Sequence, residues 1–97
     1  MNLFQSVLMP SQVCSHLAAA KVLISDETVC PECVAIGSGW VHLRLCLSCG
    51  HVGCCDSSPN KHASAHARSG GHPTVRSLQP GETWAYCYAD DLLVDDL

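Results

Sequence analysis

The chain has 97 residues and a formal charge of −4, with only five Lys or Arg residues. That length supports one small domain, and its core is thin because the aromatics are limited to Phe4, Trp40, Trp84, Tyr86 and Tyr88. The cations Lys21, Arg44, Lys61, Arg68 and Arg76 are scattered and form no basic stripe, so nucleic acid is excluded as an expected partner. No apolar run approaches the ~20 residues that a membrane-spanning helix needs.

Residues 1–13 read as a loose lead-in. They lack a basic start and a sustained apolar stretch, so no signal peptide is expected and the cytoplasm is the expected location. The Ala-rich stretch from Gln12 to Ile24 suits a short helix or an irregular wrap. Ser25 to Gly39 reads as a loop that carries the knuckle Cys30-Pro31-Glu32-Cys33. Trp40 to Cys46 alternates, with Val41, Leu43 and Leu45 on one face and Trp40, His42, Arg44 and Cys46 on the other, which predicts a half-buried strand. It runs into a second knuckle, Cys46-Leu47-Ser48-Cys49-Gly50, and His51 to Cys54 reads as a return strand. Ser58-Pro59 matches a helix start, and the helix should run to about Arg68 and stop at Gly70-Gly71. Thr74 to Leu78 and Thr83 to Tyr88 read as strands on either side of a turn at Gln79-Pro80-Gly81-Glu82. Residues 91–97 read as an acidic tail.

Eleven Cys and His residues fall at metal-ligand spacings: Cys14, His16, Cys30, Cys33, Cys46, Cys49, Cys54, His62, His66, His72 and Cys87. Zinc takes four donors in a tetrahedron, chiefly thiolate sulfur and imidazole nitrogen. Each Cys-x-x-Cys turn supplies two sulfurs and needs two more donors from elsewhere; Cys54, His62, His66 and His72 are the downstream supply. Six histidines accompany the cysteines, and Cys-x-x-Cys pairs make poor disulfide frameworks, so zinc is favoured over disulfides. His62 and His66 lie one helical turn apart, as in a metalloprotease helix, but Ala63 stands where that motif places its general base. Ser64 likewise stands where a zinc deaminase needs its glutamate.

The run Cys46-Leu-Ser-Cys49-Gly-His-Val-Gly-Cys54, followed by His62, His66 and His72-Pro73, resembles the UBP-type zinc finger of deubiquitinating enzymes and of a cytoplasmic histone deacetylase, above all its short stand-alone bacterial forms. The resemblance covers residues 14–90. It implies an α+β fold, a small zinc-stabilised domain with a twisted antiparallel sheet packed against one or two helices. It also implies interleaved sites: Cys30, Cys33, Cys54 and His62 around one zinc, and Cys46, Cys49, His66 and His72 around a second. A third set matches Cys14, His16 and Cys87, with Asp90 at the fourth position where the family has cysteine. The crossing would place His62 and His66 on different ions.

Many members of this family grip the free Gly-Gly end of ubiquitin between aromatic walls and an arginine. That arginine falls here on Asp56, the glycine before it on Cys55, and a family tryptophan on Arg44. Tyr86 and Tyr88 match the aromatics that flank the third-site cysteine. A carboxylate at Asp56 would repel a terminal carboxylate, so Arg44 is read as the replacement cation and Trp40 as the replacement wall. His42, His51 and Cys55 are left over, with an outer-shell role open to His51 beside Cys49. The expectation is a monomeric, non-enzymatic zinc module that recognises a protein or peptide C-terminal tail. The rivals are a zinc/thiol redox switch, with Cys55 as the resolving thiol, and a stand-alone structural protein.

Overall fold

The computed structural model describes residues 14–95, and the lead-in expected over residues 1–13 lies outside them. Among the described residues three short helices and five strands follow in chain order: α1 (Ser15–Ala18), α2 (Pro31–Ile36), β1 (Leu43–Cys46), β2 (Val52–Cys54), α3 (His62–Gly70), β3 (Thr74–Ser77), β4 (Ala85–Cys87) and β5 (Leu92–Val94). The strands form one antiparallel sheet in the order β2-β1-β3-β4-β5. The fold class is thus a small α+β domain.

A one-turn helix such as α1 has no stability of its own. It is held by Leu17, which is buried against Leu47, Ala85 and Cys87, and by the Cys14 thiol, whose sulfur accepts the Leu17 N–H at 3.4 Å. The first knuckle is not the loop expected from the sequence. Pro31 sits at the first position of α2, and the helix closes on Gly37 in the left-handed conformation at φ 70°, where a Cβ would be strained. Cys33 is the one buried side chain of this helix; Val34 and Ile36 face outward.

The strand pattern holds over a shorter span than expected. Leu43 and Leu45 are buried, but pairing begins at Leu43 and Val41 is half exposed. Trp40 therefore precedes the strand and packs with Leu23 and Leu78 against the cluster of Cys30, Cys33, Leu43, Leu45, Val52 and Cys54. The third helix also starts later than expected. Ser58 is not its cap: its hydroxyl accepts the Val41 N–H at 2.9 Å, and α3 begins at His62 after a left-handed Lys61 at φ 50°. At the far end, within the acidic tail, Leu92 to Val94 form the edge strand paired with β4.

The register assigns the two faces of the sheet. Leu43, Leu45, Val52, Cys54, Ala85 and Cys87 share one face with the two buried clusters, and α1 and α2 cover it. Gly53, Arg44, Ser77, Val75, Tyr86 and Leu93 share the other. There α3 packs mainly on β2 and β1. It comes so close that a Cβ on Gly53 would lie 2.7 Å from the Ala63 nitrogen. The remainder of that face is left open as a groove.

Candidate functional site

Three groups of four donor side chains come together: Cys30, Cys33, Cys54 and His62; Cys46, Cys49, His66 and His72; and Cys14, His16, Cys87 and Asp90. Within each group the donor atoms all lie within 4.8 Å of one another. The first joins α2 to the end of β2 and the first residue of α3. The second joins the β1–β2 turn to α3 and to the loop before β3. The third joins α1 to β4 and the turn after it.

The separations decide what these groups are. Tetrahedral zinc with bonds of about 2.3 Å to sulfur and 2.0–2.1 Å to nitrogen sets S···S edges near 3.8 Å, S···N edges near 3.6 Å and N···N edges near 3.4 Å. The structure has Cys33 Sγ to Cys54 Sγ at 3.8 Å and Cys46 Sγ to Cys49 Sγ at 3.7 Å. His62 Nδ1 lies 3.4, 3.4 and 3.5 Å from the sulfurs of Cys30, Cys33 and Cys54. Cys49 Sγ to His66 Nε2 is 3.3 Å, and His66 Nε2 to His72 Nδ1 is 3.2 Å. These contacts match the edges of such tetrahedra better than they match hydrogen bonds, since one imidazole nitrogen facing three thiols cannot bond well to all of them. The described cysteines are all free, and the S···S separations are far above the ~2.05 Å of a disulfide. Three donor groups that fit zinc-finger zinc sites are therefore present.

Local backbone supports the sulfurs. The N–H groups of His62, Ser48 and Asp90 point at the sulfurs of Cys54 (3.2 Å), Cys46 (3.4 Å) and Cys87 (3.4 Å), and the Asn60 amide donates to Cys33 at 3.6 Å. Such donors favour the thiolate. Without a cation, burial pushes the Cys33 thiol up to about 11, and burial likewise raises Cys49 and Cys87. Zinc, when bound, supplies the positive charge that holds these groups as thiolates and cross-links the elements that carry them. His51 buttresses the second group: its ring stacks on His66 with centroids 4.0 Å apart, and its Nε2 meets the Glu32 carboxylate at 2.8 Å. Burial, and then the neighbouring His51 and His72, hold His66 below the ordinary imidazole value.

Of the residues expected to contact a tail, Arg44, Asp56, Tyr86 and Tyr88 line one groove of about 220 Å³ together with Val75, Trp84 and Leu93. Trp40 is elsewhere, on the opposite core cluster. Its place is taken by Trp84, over which the Arg44 guanidinium sits 4.5 Å from the ring centroid. The signal for Trp84 was available: Trp84, Tyr86 and Tyr88 alternate, which puts them on one strand face. Asp56 is fixed by the Ser64 hydroxyl, which donates to it at 2.7 Å. The Tyr86 hydroxyl donates to Asp91, and that bond, followed by burial, pushes its pKa up to about 12. Tyr88 reaches about 12 through burial and then the Asp56 charge. Both rings therefore stay neutral, edge to face with centroids 5.1 Å apart. Cys55 is buried with its sulfur 3.5 Å from the Ser58 hydroxyl, and His42 is exposed.

A five-stranded sheet held to short helices by Cys/His groups defines a small zinc-binding module. The chain belongs to the UBP-type zinc-finger family: the model described as the Zn-finger in ubiquitin-hydrolases and other protein matches residues 30–97. It is similar to the solution NMR structure of protein RPA1320 from Rhodopseudomonas palustris, with 47% sequence identity, a TM-score of 0.76, and coverage of 86% of this chain and 81% of that one. No curated protein matches the sequence. Among the described residues no helix is long and apolar enough to cross a membrane.

Proposed function

We propose that this chain is a non-enzymatic recognition module that takes the C-terminal end of a protein or peptide in the groove beside α3. The observation that carries this reading is the Arg44–Trp84 stack, set between Tyr86, Tyr88 and Asp56 on the uncovered part of the sheet. The cation–π contact with Trp84 steadies the guanidinium, and a planar guanidinium matches a carboxylate by paired N–H donors. One of its N–H groups donates to the Leu43 carbonyl at 3.0 Å. The others have no partner among the described residues.

Asp56 changes the way in which a tail must enter. A terminal carboxylate belongs at the Arg44 end, while Asp56 accepts N–H groups from the preceding residues. A volume of about 220 Å³ is below the roughly 300–1,000 Å³ usual for cofactor and drug-sized pockets, which favours a narrow chain end. Four protein donors in each metal group leave no open coordination position, which supports structural rather than catalytic zinc.

The test is an NMR titration of the zinc-loaded protein with a peptide that ends in free Gly-Gly and with the same peptide amidated. The free form should shift the Trp84 indole and the Tyr86 and Tyr88 amides. Amidation, or Arg44→Ala, should weaken binding by about tenfold to a hundredfold, the equivalent of one charge-assisted hydrogen-bond pair. Equal affinity for both peptides, or binding by neither, would overturn the tail reading.

A further inference from the structure

The three metal groups are built to different standards, and the weakest adjoins the groove. In the first group Cys30, Cys33 and Cys54 are each 0% exposed. In the third, His16 and Asp90 meet at 3.0 Å with their side chains 41% and 42% exposed. Water and chelators therefore reach two of its four donors. It also replaces a soft thiolate or an imidazole with a hard carboxylate oxygen, a poorer match for zinc. Two of its donors, Cys14 and His16, rest on a one-turn helix pinned through Leu17, whereas the first two groups fasten α3 to β1, β2 and α2. Emptying the third group leaves those fastenings intact.

We propose that the Cys14–His16–Cys87–Asp90 group is the exchangeable zinc site of this domain, and that its occupancy sets the shape of the neighbouring groove. The coupling is written into the chain. Cys87 lies between Tyr86 and Tyr88, which are two walls of the groove. Asp90 precedes Asp91, and Asp91 accepts the Tyr86 hydroxyl. The backbone at Asp91 is left-handed, at φ 51°. This conformation is sparsely used outside glycine, though aspartate tolerates it better than most, and here it is held by Asp90 on one side and the Tyr86 hydroxyl on the other. Asp90 also donates its own N–H to the Cys87 sulfur at 3.4 Å. Filling the site fixes Cys87 and Asp90 together, and with them the positions of both tyrosines. By linkage the effect is reciprocal: a ligand that needs the ordered tyrosines raises zinc affinity at this site.

Only the last step rests on the tail-binding reading, so the test separates the two. The full chain, loaded with three zinc ions, is titrated with EDTA while native mass spectrometry counts the metal and NMR follows the backbone. A two-zinc plateau should appear, with its midpoint at a chelator concentration about tenfold or more below that of the remaining ions, within the range known for changes in metal support. On that plateau the resonances of Tyr86, Tyr88, Asp91 and the Trp84 indole should shift, while Leu45 and Gly53 stay in place. Asp90→Cys should abolish the plateau, and Asp90→Ala should give the two-zinc spectrum without chelator. With the free-carboxylate peptide, the two-zinc form should bind roughly fivefold or more weakly. Loss of all three ions together would overturn the proposal. So would a third ion that leaves first without moving the tyrosines, or measurable but equal peptide affinity in the two forms; binding by neither form would overturn the tail reading alone.

Discussion

Replacing Gly53 with alanine tests the join between sheet and helix that positions the first metal group. The added methyl would lie 2.7 Å from the Ala63 nitrogen, 2.9 Å from the Ala63 Cα and 2.9 Å from the His62 carbonyl carbon. All three are backbone atoms, so no side chain can swing aside, and relief to ordinary contact requires β2 and α3 to separate by several tenths of an ångström. Overpacking of this kind costs about 1–3 kcal/mol, occasionally more. The shift falls on His62, whose Nδ1 is held 3.4–3.5 Å from three sulfurs, while metal–ligand distances tolerate only about ±0.2 Å. Gly53→Ala should therefore lower thermal stability by the upper end of that range and weaken zinc binding in the first group. Thermal melts and chelator competition on the loaded protein read both effects. Gly39→Ala is the control, because nothing lies within 4 Å of its added methyl; it should be near neutral. A Gly53→Ala protein with unchanged melting and an unchanged zinc count would refute the reasoning.

Complete zinc removal should unfold the domain, because structural zinc contributes about 10–16 kcal/mol against a net stability of 5–15 kcal/mol for a typical protein. Circular dichroism that stays native with all metal stripped would contradict this. His51→Ala removes the ring stacked on His66 and the link to Glu32. It should weaken zinc at the second group by about 10–100-fold while leaving the other two groups unchanged, as read by chelator competition with native mass spectrometry. Zinc retention should rise with pH. Cys33, Cys49 and Cys87 have raised pKa values without metal, so binding displaces their protons, and the loaded state carries fewer protons than the unfolded chain. His66 is depressed, so the unfolded state takes up its proton first as pH falls through the imidazole range, and stability is lost there. Isothermal titration in buffers of different ionisation enthalpy should show protons released on zinc binding; proton uptake would refute the sign.

The sequence carried the donor inventory because the spacings are local. A Cys-x-x-Cys turn and two histidines one helical turn apart fix their own geometry wherever they sit. The later strands were legible for the same reason, as alternation reports the pleat directly. The misreadings have physical causes. Ser58-Pro59 has the form of a helix start, but the Ser58 hydroxyl is taken by the Val41 N–H from another part of the chain, and α3 waits until His62. The helix in the first knuckle was marked at both ends, by Pro31 and Gly37, but its six residues show no repeating apolar face. Trp40 was expected beside Arg44 because alternation was extended across a strand that begins only at Leu43.

The grouping of the donors, which the family resemblance already implied, and the choice of aromatic ring that faces Arg44 both depend on contacts between distant parts of the chain. His16 meets Asp90 across 74 residues, and the sheet order that sets β4 beside β3 brings Trp84, Tyr86 and Arg44 to one groove. Sequence alone determined that this protein carries zinc-type donors at short fixed spacings, because bond geometry within a turn depends only on neighbouring residues. The tertiary structure decided where the groove opens and which aromatic ring lines it, because strand register, and not spacing, selects the face on which each distant side chain emerges.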